Sequence, residues 1–203
     1  MLLVIDTALA AQSLALLNGD RVVASRHGVI GRGHAEALMP ALAALLAEAG
    51  VERPTAIAVD IGPGSFTGLR IGIAAARALG LGWDIPVGGY ASLALVAAPV
   101  FAAHPELGAL TAVAEAGRGL LYVQRIARDF TGGPVAAMPA EAVAATADLP
   151  IAGPGAARAA TGTRLVVLGD DWPDARHAAL LPAALRQMSP TPHYVSAPDS
   201  VAA

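Results

Sequence analysis

The stretch "TAIAVDIGPGSFTGLRIGIAAARALGLGW", residues 55–83, decides the fold of this chain. Its apolar start, TAIAVDI, predicts a buried strand, and its alanine-rich end predicts a helix from about Gly68 to Gly82. Between them lies GPGSFTG, and glycine-rich turns from a strand into a helix often hold phosphate. Three alternatives arise for this glycine loop, residues 62–68: a phosphate site, a reactive serine, or a surface shaped for another protein.

Three extended runs precede this stretch: LLVIDT, QSLALLN and RVVASRHG. Asn18-Gly19 predicts a tight hairpin turn between the second and third runs, because a type I′ turn needs positive φ at both central positions. HAEALMPALAALLAEAG then predicts a helix that ends at Gly50. The element order is β-β-β-α-β-α, an antiparallel meander that continues into a parallel crossover, so we predict an α/β fold.

The second half of the chain gives fainter patterns. A boundary is predicted at AAHPELG, which divides a first lobe, residues 1–104, from a second lobe, residues 105–203. Strands are predicted in LTAVAEA, LLYVQRIA and RLVVLG, and short helices in PAEAVAATAD and GAARAA. The last predicted helix, WPDARHAALLPAALRQM, is interrupted at Pro182 and capped by Asp170-Asp171.

Composition limits the class of protein. Of 203 residues, 55% are hydrophobic and only 14% are charged, which excludes wholesale disorder and suggests that a partner covers part of the surface. The net charge of −3 gives no global basic field to attract nucleic acid. With no cysteine, the chain has no disulfide, no thiolate metal site and no cysteine nucleophile.

The apolar segments do not predict a membrane protein. MLLVIDTALA lacks the positively charged start of a signal peptide and contains Asp6, so it predicts a buried strand. ASLALVAAPVFAA is shorter than the roughly 20 residues that span a bilayer, and Pro99 interrupts it. We therefore expect a cytoplasmic protein.

The glycine loop fails the general phosphate and nucleophile motifs. Thr67 stands where a dinucleotide fingerprint needs its last glycine, and the chain has no lysine for a P-loop. Pro63 and Thr67 stand where a nucleophile elbow around Ser65 needs glycines. What remains is a structural turn, alone or with a recognition role. In that turn the glycines permit close strand–helix packing, and Ser65 or Thr67 caps the helix.

Arg70 is unexpected in the first helical turn. A cation there opposes the helix dipole by roughly 0.3–1 kcal/mol. We therefore expect Arg70 to reach a carboxylate or another anion.

The two helices that flank the loop are apolar around much of their surface. Leu38, Leu42 and Leu45 form a stripe at helical spacing on the first, and the second has small residues that let another helix approach. Two alternatives stay open: burial within the protein's own lobe, and an interface with a second protein. The predicted interface residues are His34, Leu38, Met39, Leu42, Leu45, Leu46, Gly72, Ala76 and Gly80.

GPGSFTGLRIG, with VIDTA upstream and HAEALMPALAALL between them, resembles the TsaB (YeaZ) family, whose relatives share the actin/sugar-kinase/chaperone ATPase fold. The resemblance covers residues 1–100 well and the second half loosely, and it implies two ribonuclease-H-like lobes. The family signature falls on Gly62, Pro63, Gly64, Ser65, Phe66, Thr67, Gly68 and Arg70.

The resemblance implies a non-catalytic role in tRNA modification. Proteins of this family pair with the catalytic subunit TsaD and the ATPase TsaE to form N6-threonylcarbamoyladenosine next to the tRNA anticodon. The two helices of the first lobe bundle with those of TsaD or of a second copy, and contact with tRNA is indirect or weak. An ATP-dependent kinase-like enzyme, a glycoprotease-like peptidase and a stand-alone homodimer remain alternatives.

The resemblance also sets expectations for cofactors. The catalytic relative binds metal through H-x-x-x-H, but here Leu38 follows His34, so that site should be absent. Asp6 and Asp60 end strands expected to be parallel neighbours, so a weak Mg²⁺ site is the alternative to a structural role. No cofactor is expected for the isolated chain, with ATP or ADP and Mg²⁺ only in the complex. The weak, vestigial nucleotide candidates are Asp6, Thr7, Gly153 and Gly155.

The second lobe departs from the family pattern. EAGRGLLY keeps Glu115 and Tyr122, but its arginine is displaced to Arg118. The tail PHYVSAPD lacks the usual arginine after its tyrosine-hydrophobic pair.

Overall fold

Two mixed five-stranded sheets, one in each lobe, form the frame of the protein. The computed structural model describes residues 1–195, so the end of PHYVSAPD lies outside the described residues. The first sheet has the strand order β3-β2-β1-β4-β5. Its elements are β1 Leu2–Asp6, β2 Ala11–Asn18, β3 Arg21–Val29, α1 His34–Ala49, β4 Ala56–Asp60, α2 Phe66–Trp83, β5 Val87–Tyr90 and α3 Ser92–Ala103.

The second sheet repeats this topology. Written from its opposite edge, its strand order is β8-β7-β6-β9-β10, which corresponds to β3-β2-β1-β4-β5 of the first sheet. In each sheet three antiparallel strands are followed by two strands that join in parallel through crossovers. The α/β class and the β-β-β-α-β-α order of the first lobe are confirmed. The elements are β6 Ala109–Glu115, β7 Leu120–Ala127, β8 Ala136–Pro139, α4 Ala140–Thr146, β9 Ile151–Ala152, α5 Ala156–Ala160 and β10 Val167–Gly169.

The hairpin between β2 and β3 forms one residue later than predicted. Asn18 pairs with Arg21, so the two-residue loop is Gly19-Asp20, and of these only Gly19 has positive φ, at 61°. The sheet register explains the difference, because it directs Leu14 and Leu16 to the core face that α1 covers. A slip by one residue would turn both leucines to the opposite face.

The chain after β10 differs from the predicted helix. It forms two 3₁₀ helices, Ala175–Leu180 and Ala183–Arg186, because Pro182 lacks the N–H that a continuous helix needs. The first 3₁₀ helix packs on the face of the first sheet opposite α1 and α2. Met188 then pairs with Gly89 of β5. Residues 175–195 therefore lie against the first lobe, although they follow the second lobe in sequence.

Within residues 1–195, no helix is both long enough and apolar enough to cross a bilayer.

Candidate functional site

The glycine loop is capped as a helix N-terminus. Ser65 adopts an extended conformation, and its Oγ accepts a hydrogen bond from the Gly68 amide at 2.9 Å. The prediction of a hydroxyl cap is confirmed for Ser65, and α2 begins at Phe66, two residues earlier than predicted. Because its Oγ is held in this bond, Ser65 serves the fold of the loop.

The glycines let the loop lie directly on the turn between β1 and β2. The Ser65 amide donates to the Ala8 carbonyl at 2.7 Å, and Thr7 Oγ1 donates to the Gly68 carbonyl at 2.7 Å. A Cβ on Gly64 would lie 2.5 Å from the Ala8 carbonyl oxygen, and one on Gly68 would collide with the Thr7 carbonyl oxygen. The loop therefore fills the space over this turn with its own backbone.

Two other parts of the chain hold the loop from outside. Tyr122 of β7 donates its hydroxyl to the Gly64 carbonyl at 3.1 Å, which ties the second lobe to the loop. The His193 amide donates to the Ile61 carbonyl at 2.7 Å, which ties the C-terminal segment to the strand end. The glycine loop is thus the point where both lobes and the C-terminal segment meet.

Asp6 and Asp60 form a buried carboxyl pair beneath the loop. They end β1 and β4, which are parallel neighbours as predicted. Asp6 Oδ1 accepts from the Ala8 amide at 3.0 Å, and Asp60 Oδ1 accepts from the Gly62 amide at 2.6 Å and from Ser92 Oγ at 2.7 Å. Neither Oδ2 atom has a hydrogen-bond donor among the described residues, although both are fully buried.

Burial makes this pair hold protons. It raises the pKa of Asp60 to about 7, and it raises the pKa of Asp6 well above its ordinary value, with a further increase from the charge of Asp60. Both shifts favour the protonated, uncharged form of a carboxyl group that is removed from water. Within residues 1–195 no group of three or more acidic or histidine side chains is placed to hold a metal ion.

The other nucleotide candidates are occupied by protein contacts. A Cβ on Gly153 would collide with the Val113 carbonyl oxygen, and one on Gly155 would lie 2.5 Å from Leu121 Cδ2. Asp170 Oδ1 accepts from the amides of Gly155 at 3.0 Å and Ala157 at 3.1 Å. A bound phosphate would accept hydrogen bonds from these amides, but the Asp170 carboxylate already accepts them.

That contact also corrects the predicted role of Asp170-Asp171. Asp170 caps α5, which lies earlier in the chain, and Asp174 caps the first 3₁₀ helix by accepting from the Arg176 amide at 2.8 Å. The sequence could not show the first contact because it joins residues of separate elements.

Most of the predicted interface residues face the protein's own core, which corrects that prediction. Leu38, Leu42 and Leu45 pack on the first sheet. A Cβ on Gly72 would lie 2.5 Å from Thr7 Oγ1, so this glycine serves packing between α2 and the sheet. The predicted interface residues that are buried are His34, Leu38, Leu42, Leu45, Gly72, Ala76 and Gly80. Met39, 48% exposed, and the half-buried Leu46 remain accessible.

His34 lies at the start of the buried stripe. It is 7% exposed, burial lowers its pKa, and its Nδ1 has no hydrogen-bond partner among the described residues. It is therefore neutral at pH 7.

The flanks of α1 and α2 carry exposed apolar side chains. The two helices contact each other, and small apolar side chains line their outer faces. Leu81 is 86% exposed near the end of α2. Sequence reasoning included Met39 of this surface in the predicted interface, but it otherwise chose the stripe with the largest side chains, which the sheet covers. The exposed apolar residues of this helix flank are Met39, Ala43, Ala47, Ala74, Ala78 and Leu81.

Arg70 contacts aromatic rings. Its Nε donates to the Tyr194 hydroxyl at 2.9 Å, and its Cζ lies 3.6 Å from the centre of the Phe66 ring. Among residues 1–195 it forms no ion pair with a carboxylate, so the predicted anion is not within the described part of the chain.

Comparisons with known proteins agree on one family. The model described as "TsaD: tRNA N6-adenosine threonylcarbamoyltransferase" matches residues 15–165. The Escherichia coli protein named "tRNA threonylcarbamoyladenosine biosynthesis protein TsaB" is 35% identical over 133 residues, 64% of this chain and 57% of that protein. The Bacillus subtilis protein of that name is 34% identical, over 60% of this chain and 52% of that protein. The matched stretch thus spans little more than half of each curated relative.

A solved structure covers more of the chain. YeaZ from Pseudomonas aeruginosa superposes with a TM-score of 0.73 at 30% identity, over 88% of this chain and 89% of that one. A second Pseudomonas aeruginosa structure, an uncharacterised protein similar to peptidase YeaZ, gives a TM-score of 0.72 at 29% identity over 87% of each chain. Together with the repeated sheet topology, this likeness confirms the predicted two-lobed fold.

Proposed function

Because the chain belongs to the TsaB (YeaZ) family, we propose that it is the non-catalytic subunit of a complex that forms N6-threonylcarbamoyladenosine in tRNA. In this proposal the chain binds and stabilises a TsaD-type catalytic subunit and helps to recruit a TsaE-type ATPase. The curated relatives carry biosynthesis of this nucleoside in their names, and the matching family model is that of the transferase.

The observation that carries the proposal is the exposed helix flank on α1 and α2. Its residues are apolar and uncharged, and four of the six are alanines. Exposed apolar side chains on neighbouring helices are typical of interaction sites, and small side chains let a partner helix approach closely. A TsaD-type subunit, or a second copy of this chain, would pack its own helices there.

The chemistry beneath the glycine loop supports a non-catalytic role. A general base needs an accessible carboxylate, but Asp6 and Asp60 are 2% exposed and bonded to backbone amides. Ser65 Oγ is engaged in the helix cap. We propose that the chain needs no nucleotide of its own, because Asp170 already accepts from the Gly155 amide that a phosphate would contact, and the Thr7 hydroxyl already donates to the Gly68 carbonyl. ATP or ADP and Mg²⁺ would then enter only with the other subunits, and tRNA contact would be indirect or weak.

A charge on the helix flank should weaken partner binding without unfolding the protein. We expect Ala43→Glu to weaken binding to the cognate TsaD-type subunit by more than about tenfold, because a desolvated, unpaired carboxylate costs several kcal/mol at an interface. Ala44→Glu is the matched control. Both alanines are exposed, but Ala44 is on the side of α1 where Glu48 pairs with Arg26 at 2.8 Å, so binding should change little. Calorimetry measures both affinities.

The outcomes separate the alternatives. Unchanged affinity of Ala43→Glu would show that the interface is elsewhere, and no binding by the unmodified protein would overturn the proposed function. If the chain forms a homodimer through the same flank, sedimentation should show that Ala43→Glu is monomeric.

A further inference from the structure

A cleft between the two lobes lies outside the helix flank and carries a distinct chemistry. Its volume is about 580 Å³, and it opens between the glycine loop, the turn that joins β6 to β7, and the C-terminal segment. Its lining includes the aliphatic side chains of Leu120, Ala137 and Val195, which are called the floor below. Tyr122 lines the same cleft, and its hydroxyl donates to the Gly64 carbonyl.

Two exposed aromatic rings and an arginine stand at one side of this cleft. Phe66 is 56% exposed and Tyr194 is 42% exposed, with ring centres 5.2 Å apart. The Arg70 guanidinium stacks on Phe66 and is fixed through Nε by Tyr194. Its two terminal nitrogens make no hydrogen bond within residues 1–195, so they remain free donors in a preformed position. Arginine and aromatic side chains held in this way are typical of the energetic centre of protein interfaces.

A second arginine stands opposite, in a strained conformation. Arg118 lines the cleft at the tip of the β6–β7 turn with φ of 63°, a left-handed conformation that costs a non-glycine residue about 1–2 kcal/mol. It forms no ion pair or hydrogen bond among the described residues. Arg158 supports the same turn by donating to the Gly119 carbonyl at 3.3 Å. Strain at an exposed charged residue with no internal partner indicates a role in binding.

We propose that this cleft docks an acidic segment of a protein partner. An apolar side chain of the segment would lie on the floor and against Phe66, and neighbouring carboxylates would pair with Arg70 and Arg118. RNA fits less well, because the net charge of −3 provides no extended basic surface for a phosphate backbone.

The inference goes beyond the proposed function and does not depend on it. Phe66 and Arg70 are on the side of α2 that faces the C-terminal segment, where Arg77 also donates to the Pro190 carbonyl at 2.7 Å. Ala43, the position tested on the helix flank, is on a different helix, α1. Loss of TsaD-type binding in Ala43→Glu and loss of peptide binding at the cleft are therefore separate results.

Selection from a displayed library of short random peptides tests the proposal. The full chain is the bait, and a Phe66→Ala, Arg118→Asn double variant removes peptides that bind elsewhere. Asparagine tolerates the left-handed conformation, so the turn should keep its shape. We expect the selected peptides to place aspartate or glutamate beside leucine, phenylalanine or tryptophan. Either single variant should then bind the best synthetic peptide at least about tenfold more weakly in fluorescence polarisation.

Arg164→Asn is the matched control, since this exposed arginine lies between α5 and β10, away from the cleft. It should change peptide affinity by less than about twofold. Thermal unfolding of each variant shows whether the fold is retained. The proposal is overturned if no peptide prefers the unmodified chain to the double variant, or if the selected peptides are basic. Tighter binding of a short single-stranded RNA, lost in the same variants, would also overturn it by assigning the cleft to nucleic acid.

Discussion

Gly68→Ala is expected to lower the free energy of unfolding by about 2 to 4 kcal/mol. The added Cβ would collide with the Thr7 carbonyl oxygen and lie 2.8 Å from Ser65 Oγ, which is the cap of α2. Neither atom can move alone, because Thr7 Oγ1 is bonded to the Gly68 carbonyl and Ser65 N to the Ala8 carbonyl. The substitution must therefore separate the loop from the β1–β2 turn or break the cap. Chemical denaturation measures the loss.

Gly82→Ala provides the control within the same helix. A Cβ on Gly82 meets nothing within 4 Å, and alanine favours a helix over glycine by up to about 1 kcal/mol. We expect Gly82→Ala to leave stability unchanged or to raise it slightly. Equal stability of the Gly68→Ala and unmodified proteins would mean that the glycine is not required for close packing, and the loop would then need another explanation.

Part of the site could be predicted from the sequence alone. The strand, the glycine turn and the following helix were predictable because apolar periodicity and a serine cap act over a few residues. The sequence also predicted that Asp6 and Asp60 end neighbouring parallel strands, since the crossover rule fixes their order. Those features are local or follow from topology alone.

The face of a helix that meets a partner was not predictable in the same way. Leu42 and Ala43 are neighbours in sequence, and apolar residues surround most of α1, so periodicity did not show that the sheet covers the leucine stripe. The burial of Leu42 depends on its packing with strands placed by long-range pairing. The return of residues 175–195 to the first lobe is another long-range effect, with no local pattern to indicate it.

Asp60→Asn is expected to remove a large part of the pH dependence of stability between about pH 4 and pH 7. The pKa of Asp60 is raised from 3.8 to about 7 in the folded protein, mainly by burial. Across this range the folded state keeps a proton that the unfolded state has lost, so stability falls as pH rises. One retained proton changes the free energy of unfolding by about 1.4 kcal/mol per pH unit.

Asparagine should preserve the geometry while removing this titration. Its side-chain oxygen can still accept from the Gly62 amide and Ser92 Oγ, the two donors that bond to Asp60 Oδ1. At pH 8 we therefore expect Asp60→Asn to be more stable than the unmodified protein by about 2 to 4 kcal/mol, and the difference should shrink towards pH 4. Chemical denaturation over this range measures both profiles, with the exposed Glu52→Gln as control. Parallel profiles for Asp60→Asn and the unmodified protein would contradict a proton-holding pair. The slopes of the two profiles differ only if the Asp60 carboxyl group has different pKa values in the folded and unfolded states.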